Sequence, residues 1–480
     1  MKNRKEIQAS LSIYLALSFT IILSLILLVV EGARENAIRM KLECAMDLSL
    51  SSVFAEYNRE LLDQYELLFI DTSYGGENSS LEKTEEHLKG YLDDNFCTGK
   101  EAALLKDLTG LYTEEVSIMD YALASDETGA LIKRQAVAYM KDLYGTGYVE
   151  EIQRQLDTVS EKGYFTKDVT GERLANQSAI DSVEIPPRQV AEDEWEEVKL
   201  DNPADAVNAS RGILSLVINP ERELSAVAIN PANYISKREC VQGSGLLGRE
   251  KLKGADELIF NEYLLKKCGC YTNPKEKGLL AYQLEYILAG KSNDLENLKT
   301  IVNRLLLMKE AANVIYLFFD SAKMAEAEAL AVAVTAEIPV PGLSELVKIS
   351  LIFAWAYAES VYDVRTLLAG GKSPLFKTKD SWHYSLSGMM DFASDTADGA
   401  GKDEAADGLD YESYLRIFLA LQNQQEKTVR AMDVIEMDIR SCAGNSCFRL
   451  DTCVDYIKAT AYVGSKFGYS NEITRSYYYY

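Results

Sequence analysis

Histidines and nearby nucleophiles are the residues from which this chain could build covalent or acid–base catalysis. The 480-residue sequence contains only two histidines, His87 and His383. His87 follows Glu85 and Glu86 in a stretch of helical periodicity, and His383 follows Trp382 in a loop. Ser–His or Cys–His chemistry needs a nucleophile beside the base, and no such motif accompanies either histidine. We therefore interpret both as structural and predict that the protein is not an enzyme.

Two further stretches resemble ligand-binding motifs only in part. Gly243 to Gly248 matches the G-x-G-x-x-G pattern of dinucleotide-binding folds, but that pattern must follow a buried strand. The preceding residues, KRECVQ, carry three charges and make a poor buried strand. The acidic loop at 391–410 departs from the ligand spacing of an EF-hand calcium site. We predict a glycine-rich connector, a solvated loop and no bound cofactor or metal.

The eight cysteines all follow the apolar amino-terminal segment. Cys442, Cys447 and Cys453 form a local cluster in a stretch that contains Gly and Asn. An even number of cysteines outside the cytoplasm is compatible with disulfides, so we predict a disulfide within this cluster. Free buried thiols are one alternative. Zinc is the other, although the spacing lacks paired C-x2-C units and a nearby histidine.

Residues 11–30, LSIYLALSFTIILSLILLVV, form an uncharged and mostly apolar run. A helix of about 20 such residues crosses the roughly 30 Å of a bilayer's hydrocarbon core. The apolar part of a signal peptide is shorter, about 7–15 residues, and ends in small residues at a cleavage site. Here the run ends in Val29-Val30-Glu31-Gly32. We predict an uncleaved transmembrane helix, with a cleaved signal as the alternative.

Small residues recur at every fourth position of this run, at Ser12, Ala16, Thr20 and Ser24. They lie on one side of a helix, and small side chains let two transmembrane helices approach while hydroxyl groups bond across the contact. This stripe predicts a partner helix in the membrane. The alternative is that Ser and Thr are simply tolerated in a single span.

Three Lys or Arg residues precede the run and three follow it closely, so the positive-inside rule alone does not set the orientation. The free amino terminus adds one positive charge to the ten-residue tail, and the other side holds most of the chain and all its cysteines. We predict a single-pass protein of the cell membrane with a cytoplasmic amino terminus and a large extracellular carboxy-terminal domain.

The predicted fold class is α+β and mostly helical. Apolar residues recur every three or four positions from Ile38 to Tyr65, without Gly or Pro, so the transmembrane helix is expected to continue outward, with a break at Glu31-Gly32 as the alternative. The predicted order is a tail at 1–10, a transmembrane helix at 11–30, its external continuation at 31–67, an α+β unit with a sheet at 68–250, a helical unit at 251–440, and a Cys-containing tail at 441–480 that returns to the sheet.

The chain carries a net charge of −24 at pH 7. Nucleic-acid binding needs a basic surface, so this class of partner is excluded. A strongly acidic surface instead suits a solvated domain that repels its own copies unless packing or cations intervene.

Several segments carry a resemblance to an uncharacterised family of single-span proteins from clostridia and related bacteria. They are SIYLAL at 12–17, EGAR at 31–34, MDLSLSSVFAEY at 46–57, LLDQY at 61–65, YILAGKSNDLENLKTIVNRLL at 286–306, WAYAESVYDVRTLL at 355–368, and 411–440. The amino-terminal third is similar in layout to the TadE/TadG-like pseudopilins of tight-adherence pili. The span has no Glu and no preceding Gly, which matches an uncleaved, TadG-like protein.

The resemblance implies a non-enzymatic structural or assembly component of a Tad-like pilus or secretion apparatus at the cell surface. Its expected partners are the membrane and other pilus or secretion-system proteins, reached through the transmembrane helix and the external domain. Two alternatives stay open, an anchored extracellular hydrolase and a ligand-binding or adhesin domain. An apolar or aromatic-lined pocket in the helical unit would favour the latter.

Overall fold

The structure of the protein is a computed structural model that describes residues 2–96, 109–144, 168–191, 194–218, 223–245, 252, 254–390, 392 and 408–479, with backbone only at 2–10, 190, 191 and 194. The chain divides into two compact units. Unit 1 comprises 1–135, 239–251 and 442–480, and unit 2 comprises 136–238 and 252–441. The predicted α+β, mostly helical fold class is confirmed.

The elements of the described residues follow in chain order. The helices are α1 (Lys2–Phe54), α2 (Arg59–Tyr65), α3 (Leu81–Phe96), α4 (Asp126–Tyr144), α5 (Val169–Asp181), α6 (Ala204–Ala209), α7 (Gly254–Lys267), α8 (Gln283–Ala289), α9 (Asp294–Phe319), α10 (Ser321–Val334), α11 (Leu343–Leu368), α12 (Tyr411–Leu421) and α13 (Gln424–Ser441). The strands are β1 (Ile70–Asp71), β2 (Leu111–Leu123), β3 (Arg188–Ala191), β4 (Glu194–Glu196), β5 (Cys453–Ser465) and β6 (Ser470–Tyr478). Short 3-10 turns lie at Leu214–Leu216, Pro231–Asn233, Gly388–Met390 and Leu450–Thr452.

Unit 1 contains an antiparallel sheet centred on β5. Strand β2 pairs along one edge of β5, from Leu111↔Ser465 to Leu123↔Val454, with three register shifts. Strand β6 pairs along the opposite edge without a shift, and the two-residue β1 continues that edge. Ile457, Ala459, Ala461 and Val463 share one face of β5 and belong to the apolar core, as expected for a strand packed against a helical layer, and Thr460 on the other face is buried too.

The helical layer of unit 1 is the second half of α1 together with α3. Ile38, Leu42, Met46, Leu50 and Val53 recur at helical spacing and are all buried, so one side of α1 forms the core of the unit. Leu88 and Leu92 of α3 and the buried side chains of the sheet complete this apolar cluster. The same helix is therefore exposed and apolar in its first half and part of a domain core in its second.

The predicted continuation of the first helix to residue 67 is wrong in its end point. Helix α1 has no break at Glu31-Gly32, but it ends at Phe54. The Asn58 side chain accepts a hydrogen bond from the Leu61 backbone N–H and starts α2, while Tyr57 forms a β-bridge with Ile70. An Asn side chain that bonds nearby backbone favours helix starts over helix interiors, and the apolar periodicity does not detect this.

Unit 2 is built around the contact between α9 and α11. Residues 351–358 of α11 are almost completely buried, so this apolar stretch is part of a core helix. Residues 136–238, assigned from sequence to the unit with the sheet, lie in unit 2. The reason is visible at Asn176, which donates to the Leu346 carbonyl at 3.0 Å, and at Asn202, which donates to Ser350 Oγ at 3.1 Å.

Candidate functional site

The first candidate site is the exposed half of α1, residues 11–30, called the span below. Among the described residues, α1 is the one helix long and apolar enough, by length and composition, to cross a membrane, and none of its most apolar window is buried. Large side chains here are exposed by between 45% at Leu23 and 73% at Leu28. A continuous apolar surface of this size on a soluble body is unusual and marks a contact with lipid or protein.

The four residues of the predicted stripe, Ser12, Ala16, Thr20 and Ser24, are all exposed. Thr20 Oγ1 donates to the Ala16 carbonyl, and Ser24 Oγ donates to the Ile21 carbonyl at 2.8 Å. These two hydroxyl groups are satisfied within their own helix, so they do not require a partner to bond across. What the stripe offers a second helix is close backbone approach, and the partner helix stays a prediction.

The predicted cysteine cluster lies in unit 1, between the end of α13 and the start of β5. Gln64 Nε2 donates to Cys442 Sγ at 3.1 Å. Cys447 is exposed, whereas Cys453 is buried and donates from Sγ to the Arg449 carbonyl at 3.3 Å. The disulfide within this cluster stays a prediction. Cys97 lies outside the described residues.

The glycine motif makes a tight backbone contact in unit 1. The Gly243 and Gly245 N–H groups donate to the two carboxylate oxygens of Asp126, at 2.8 and 3.1 Å. A Cβ atom on Gly243 would stand 2.5 Å from Asp126 Oδ2, so this approach requires glycine. Residues 246–248 of the motif, and nearly all of the acidic loop at 391–410, lie outside the described residues.

The two histidines sit in aromatic and acidic surroundings. In unit 1, His87 Nδ1 lies 2.9 Å from Glu56 Oε2, and its ring packs beside Tyr74 with centroids 4.3 Å apart. In unit 2, the His383 ring stacks on Tyr362 at 3.8 Å. Within the part of the chain that the structure describes, no group of three or more His, Cys, Asp or Glu side chains is placed to hold a metal ion.

The sequence did not predict a cluster of four buried charges in unit 2. We call Lys309 of α9, Glu359 and Asp363 of α11, and Lys377 of the following loop the four-charge cluster; all four are buried. Lys377 Nζ lies 2.5 Å from Glu359 Oε1 and 2.8 Å from Asp363 Oδ1, and Lys309 Nζ lies 3.8 Å from Asp363 Oδ2. Two cations and two carboxylates thus neutralise one another.

Backbone groups complete the four-charge cluster. Glu359 accepts the backbone N–H of His383 and of Tyr384 at 2.9–3.1 Å, and Lys309 Nζ donates to the Pro374 carbonyl at 2.7 Å. Burial lowers the pKa of Lys309 to about 8, although Asp363 opposes the shift. The cluster fastens the loop after α11 onto the two central helices.

Ionic contacts of the same kind recur across unit 2. Further acids with almost no exposed side-chain surface pair with arginines: Glu310 with Arg211, Glu436 with Arg238 and Arg440, and Glu262 with Arg416. Because a buried carboxylate loses its hydration, each pair offsets a desolvation cost and constrains two segments of the chain.

Two other buried acids of unit 2 are held by tyrosines. Glu285 Oε1 accepts from the Tyr411 hydroxyl and the Tyr271 N–H, both at 2.8 Å, and Asp433 accepts from the Tyr286 hydroxyl at 2.7 Å. Burial raises the pKa of Glu285 to about 7 and that of Asp433 to about 6. Both carboxyl groups therefore titrate much closer to neutral pH than exposed acids do.

The second candidate site is a cavity of about 410 Å³ in unit 2. It lies among the start of α5, one side of α9 and the end of α12. Its lining residues are Asp168, Val169, Thr170, Arg304, Leu307, Met308, Ala311, Phe418, Leu421 and Gln422. Val169, Met308 and Phe418 are buried, and burial, together with nearby Arg430, lowers the pKa of Arg304. The cavity therefore combines an apolar floor with one cation, Arg304, and one acid, Asp168.

Comparison with known proteins places the chain in a family. No curated protein and no solved structure matches it. The profile of a family of unknown function, DUF5702, matches residues 193–465. This match covers more than half of the 480-residue chain and includes α7 to α13 and the whole of β5. The protein therefore belongs to DUF5702, a family of unknown function.

Proposed function

We propose that this protein is a single-pass membrane protein that works by contact, as a non-enzymatic structural or assembly component of a Tad-like pilus or secretion apparatus at the cell surface. The observation that carries the proposal is the division of α1. One unbroken helix of 53 residues contains both the span and the core of unit 1. A helix shared in this way holds the domain at a fixed distance from the bilayer, which suits a protein that positions partners.

The length of the span supports anchoring. Twenty helical residues rise about 30 Å, the thickness of the hydrocarbon core. We place residues 1–10 in the cytoplasm and the chain after the span outside the cell, because all eight cysteines follow the span and disulfides form outside the cytoplasm. Exposed Cys44, ten residues after Arg34 on the same helix, provides a native reporter of this orientation.

Anchoring and orientation are tested together in intact cells. The protein is expected to stay with membranes during alkaline carbonate extraction, and a membrane-impermeant maleimide is expected to label wild type more strongly than Cys44→Ser. Recovery in the soluble fraction would overturn anchoring. Labelling of Cys44 only after the cells are broken would overturn the orientation.

The contact function is tested on the stripe. Replacing Thr20 and Ser24 by Leu keeps the span apolar but fills the small side of the helix, so we expect retention in the membrane and loss of co-purifying membrane proteins. Ser18→Leu is the matched control, because residue 18 lies on the opposite side of the helix. The stripe would no longer support the proposal if co-purification were unchanged in the Thr20/Ser24 variant. The same holds if it were lost equally in that variant and in Ser18→Leu.

The cavity of unit 2 favours ligand binding as a second candidate function. Its apolar floor and the cation of Arg304 suit an apolar anion, for which anilinonaphthalene sulfonate is a convenient probe. We expect saturable probe binding that Arg304→Glu weakens and that Arg188→Glu, a change at an exposed arginine of the same unit, leaves intact. Equal binding by all three proteins would contradict this candidate.

A further inference from the structure

We propose that the turn between β5 and β6 is a second point of membrane contact, at which Phe467 enters the headgroup layer of the bilayer beside the span. The turn comprises residues 466–469 and belongs to unit 1, as does α1. The inference rests on the proposed anchoring by α1 and adds a surface of the folded domain to it.

The position of Phe467 along α1 sets its depth. The Arg34 guanidinium lies over the Phe467 ring, 4.2 Å from its centroid. Arg34 is four residues beyond Val30, which corresponds to about 6 Å along an unbroken helix. A bilayer of about 40–45 Å with a hydrocarbon core of about 30 Å leaves an interfacial layer of roughly 5–8 Å on each side. Phe467 therefore falls within the headgroup layer when residues 11–30 fill the core.

The direction of β6 shows that this turn is the part of the hairpin nearest the span. After the turn, β6 follows α1 away from it. Arg475 lies 3.5 Å from Asp47, and the ring of Tyr477 packs against Phe54 with centroids 4.7 Å apart. The turn is thus held at the level of Arg34 by its own contact with that residue and by contacts of the second half of β6 with α1.

The side chains at this end of the sheet suit a membrane interface. Phe467 is 48% exposed and Tyr112, which pairs with Gly464 next to the turn, is 46% exposed. Lys466 is also exposed, and its long stem can lie along apolar surface while its ammonium group stays in water. Aromatic and long basic side chains are characteristic of the interfacial belts of membrane proteins.

Electrostatic attraction contributes little to the predicted contact. Arg34 pairs with Glu31 at 3.4 Å, so the cationic charge next to Phe467 is partly neutralised. Burial of aromatic surface is the main contribution, and we expect the contact to form on zwitterionic phosphatidylcholine as well as on anionic lipid.

The test uses the full-length chain reconstituted into phosphatidylcholine vesicles, with a photoreactive benzophenone side chain in place of Phe467. Upon illumination, we expect lipid adducts at this position. The matched control carries the same group in place of Met119, which is 66% exposed on the same sheet. Its neighbour Ile118 pairs with Ala459, six residues before the end of β5, or about 20 Å further from the turn.

A several-fold higher yield of lipid adduct at position 467 than at position 119 is the expected result. Equal yields, or no lipid adduct at 467, would overturn the inference. Carbonate extraction of the same vesicles separates the two proposals. Retention of the protein without a lipid adduct at 467 would overturn only the turn contact, whereas release of the protein would overturn the anchoring by α1. Near-native circular dichroism of both photoreactive proteins confirms that they are folded.

Discussion

Two buried acids, Asp126 of unit 1 and Glu359 of unit 2, are held in different ways. In unit 1, the Asp126 carboxylate accepts backbone N–H groups from Leu123, Gly243 and Gly245 at 2.8–3.1 Å. In unit 2, the buried Glu359 carboxylate is 2.5 Å from the ammonium group of Lys377. Backbone N–H groups thus hold Asp126, whereas Glu359 also has a buried cation as its partner.

This difference separates two ways of stabilising a fold. Backbone donors fix a local crossing of the chain, and the stability of unit 1 rests on the apolar side of α1 against its sheet. Side-chain ion pairs connect segments far apart in sequence, but each charge left without its partner carries an unrecovered desolvation cost. Unit 2 should therefore be sensitive to the loss of one charged partner.

Substitution of Glu359 is the prediction with the largest expected effect. Glu359→Ala leaves Lys377 without its closest carboxylate and leaves the His383 and Tyr384 N–H groups without their acceptor. We expect unit 2 to lose about 3–5 kcal/mol in the free energy of unfolding, the typical cost of breaking a buried pair. Denaturant unfolding of the full chain in detergent can be followed by tryptophan fluorescence, because Trp195, Trp355 and Trp382 all lie in unit 2.

A surface ion pair of the same unit provides the control. Glu337 lies 2.7 Å from Arg188, but its side chain is 72% exposed. Glu337→Ala should cost less than about 1 kcal/mol, because water screens exposed pairs. Similar losses for the two variants would mean that burial does not distinguish them, and the contrast between the units would lose its energetic basis.

The apolar core of unit 1 gives the second prediction. Leu50 is 1% exposed and Leu48, two residues away on α1, is 58% exposed. Leu50→Ala should reduce the stability of unit 1 by about 2–5 kcal/mol through lost burial and a residual cavity, whereas Leu48→Ala should be nearly neutral. Hydrogen exchange of the β5 amides reports unit 1 directly. Equal protection in both variants would contradict the assignment of this side of α1 to the core.

The sequence identified the features that depend on local periodicity. The apolar run of the span and the spacing of Ile38, Leu42 and Met46 follow from side-chain positions on one helix. Residues 460–463 and 473–478 are rich in β-branched and aromatic side chains, as strands are, and lie within the longer β5 and β6. The full length of β5 was not predicted, because polar residues such as Asp455 and Lys458 interrupt its apolar pattern. Its pairing with β2, more than 300 residues earlier, is not visible in the local sequence.

The buried charges of unit 2 could not be predicted from helical periodicity. Lys309 and Glu310 interrupt an apolar helical pattern, and such charges normally indicate an exposed side of a helix. Both are buried here because α9 is covered on several sides: Lys309 belongs to the four-charge cluster, and Glu310 pairs with Arg211. Phe467 was missed for a related reason, since only the fold brings the β5–β6 turn beside the end of the span.

The pH dependence of unit 2 is the smallest of the expected effects. Because burial raises the pKa of Glu285 from 4.5 to about 7, the folded protein keeps this proton to a higher pH than the unfolded chain does. The free energy of unfolding should therefore fall as pH rises from 4.5 to 7, by roughly 2–3 kcal/mol. Asp433, whose pKa is raised to about 6, contributes with the same sign. In denaturant titrations followed by tryptophan fluorescence, Glu285→Gln should flatten this slope and Glu337→Gln should not. An unchanged slope in Glu285→Gln would show that Glu285 does not hold its proton in the folded interior, and the contrast between the units would then rest on the ion pairs alone.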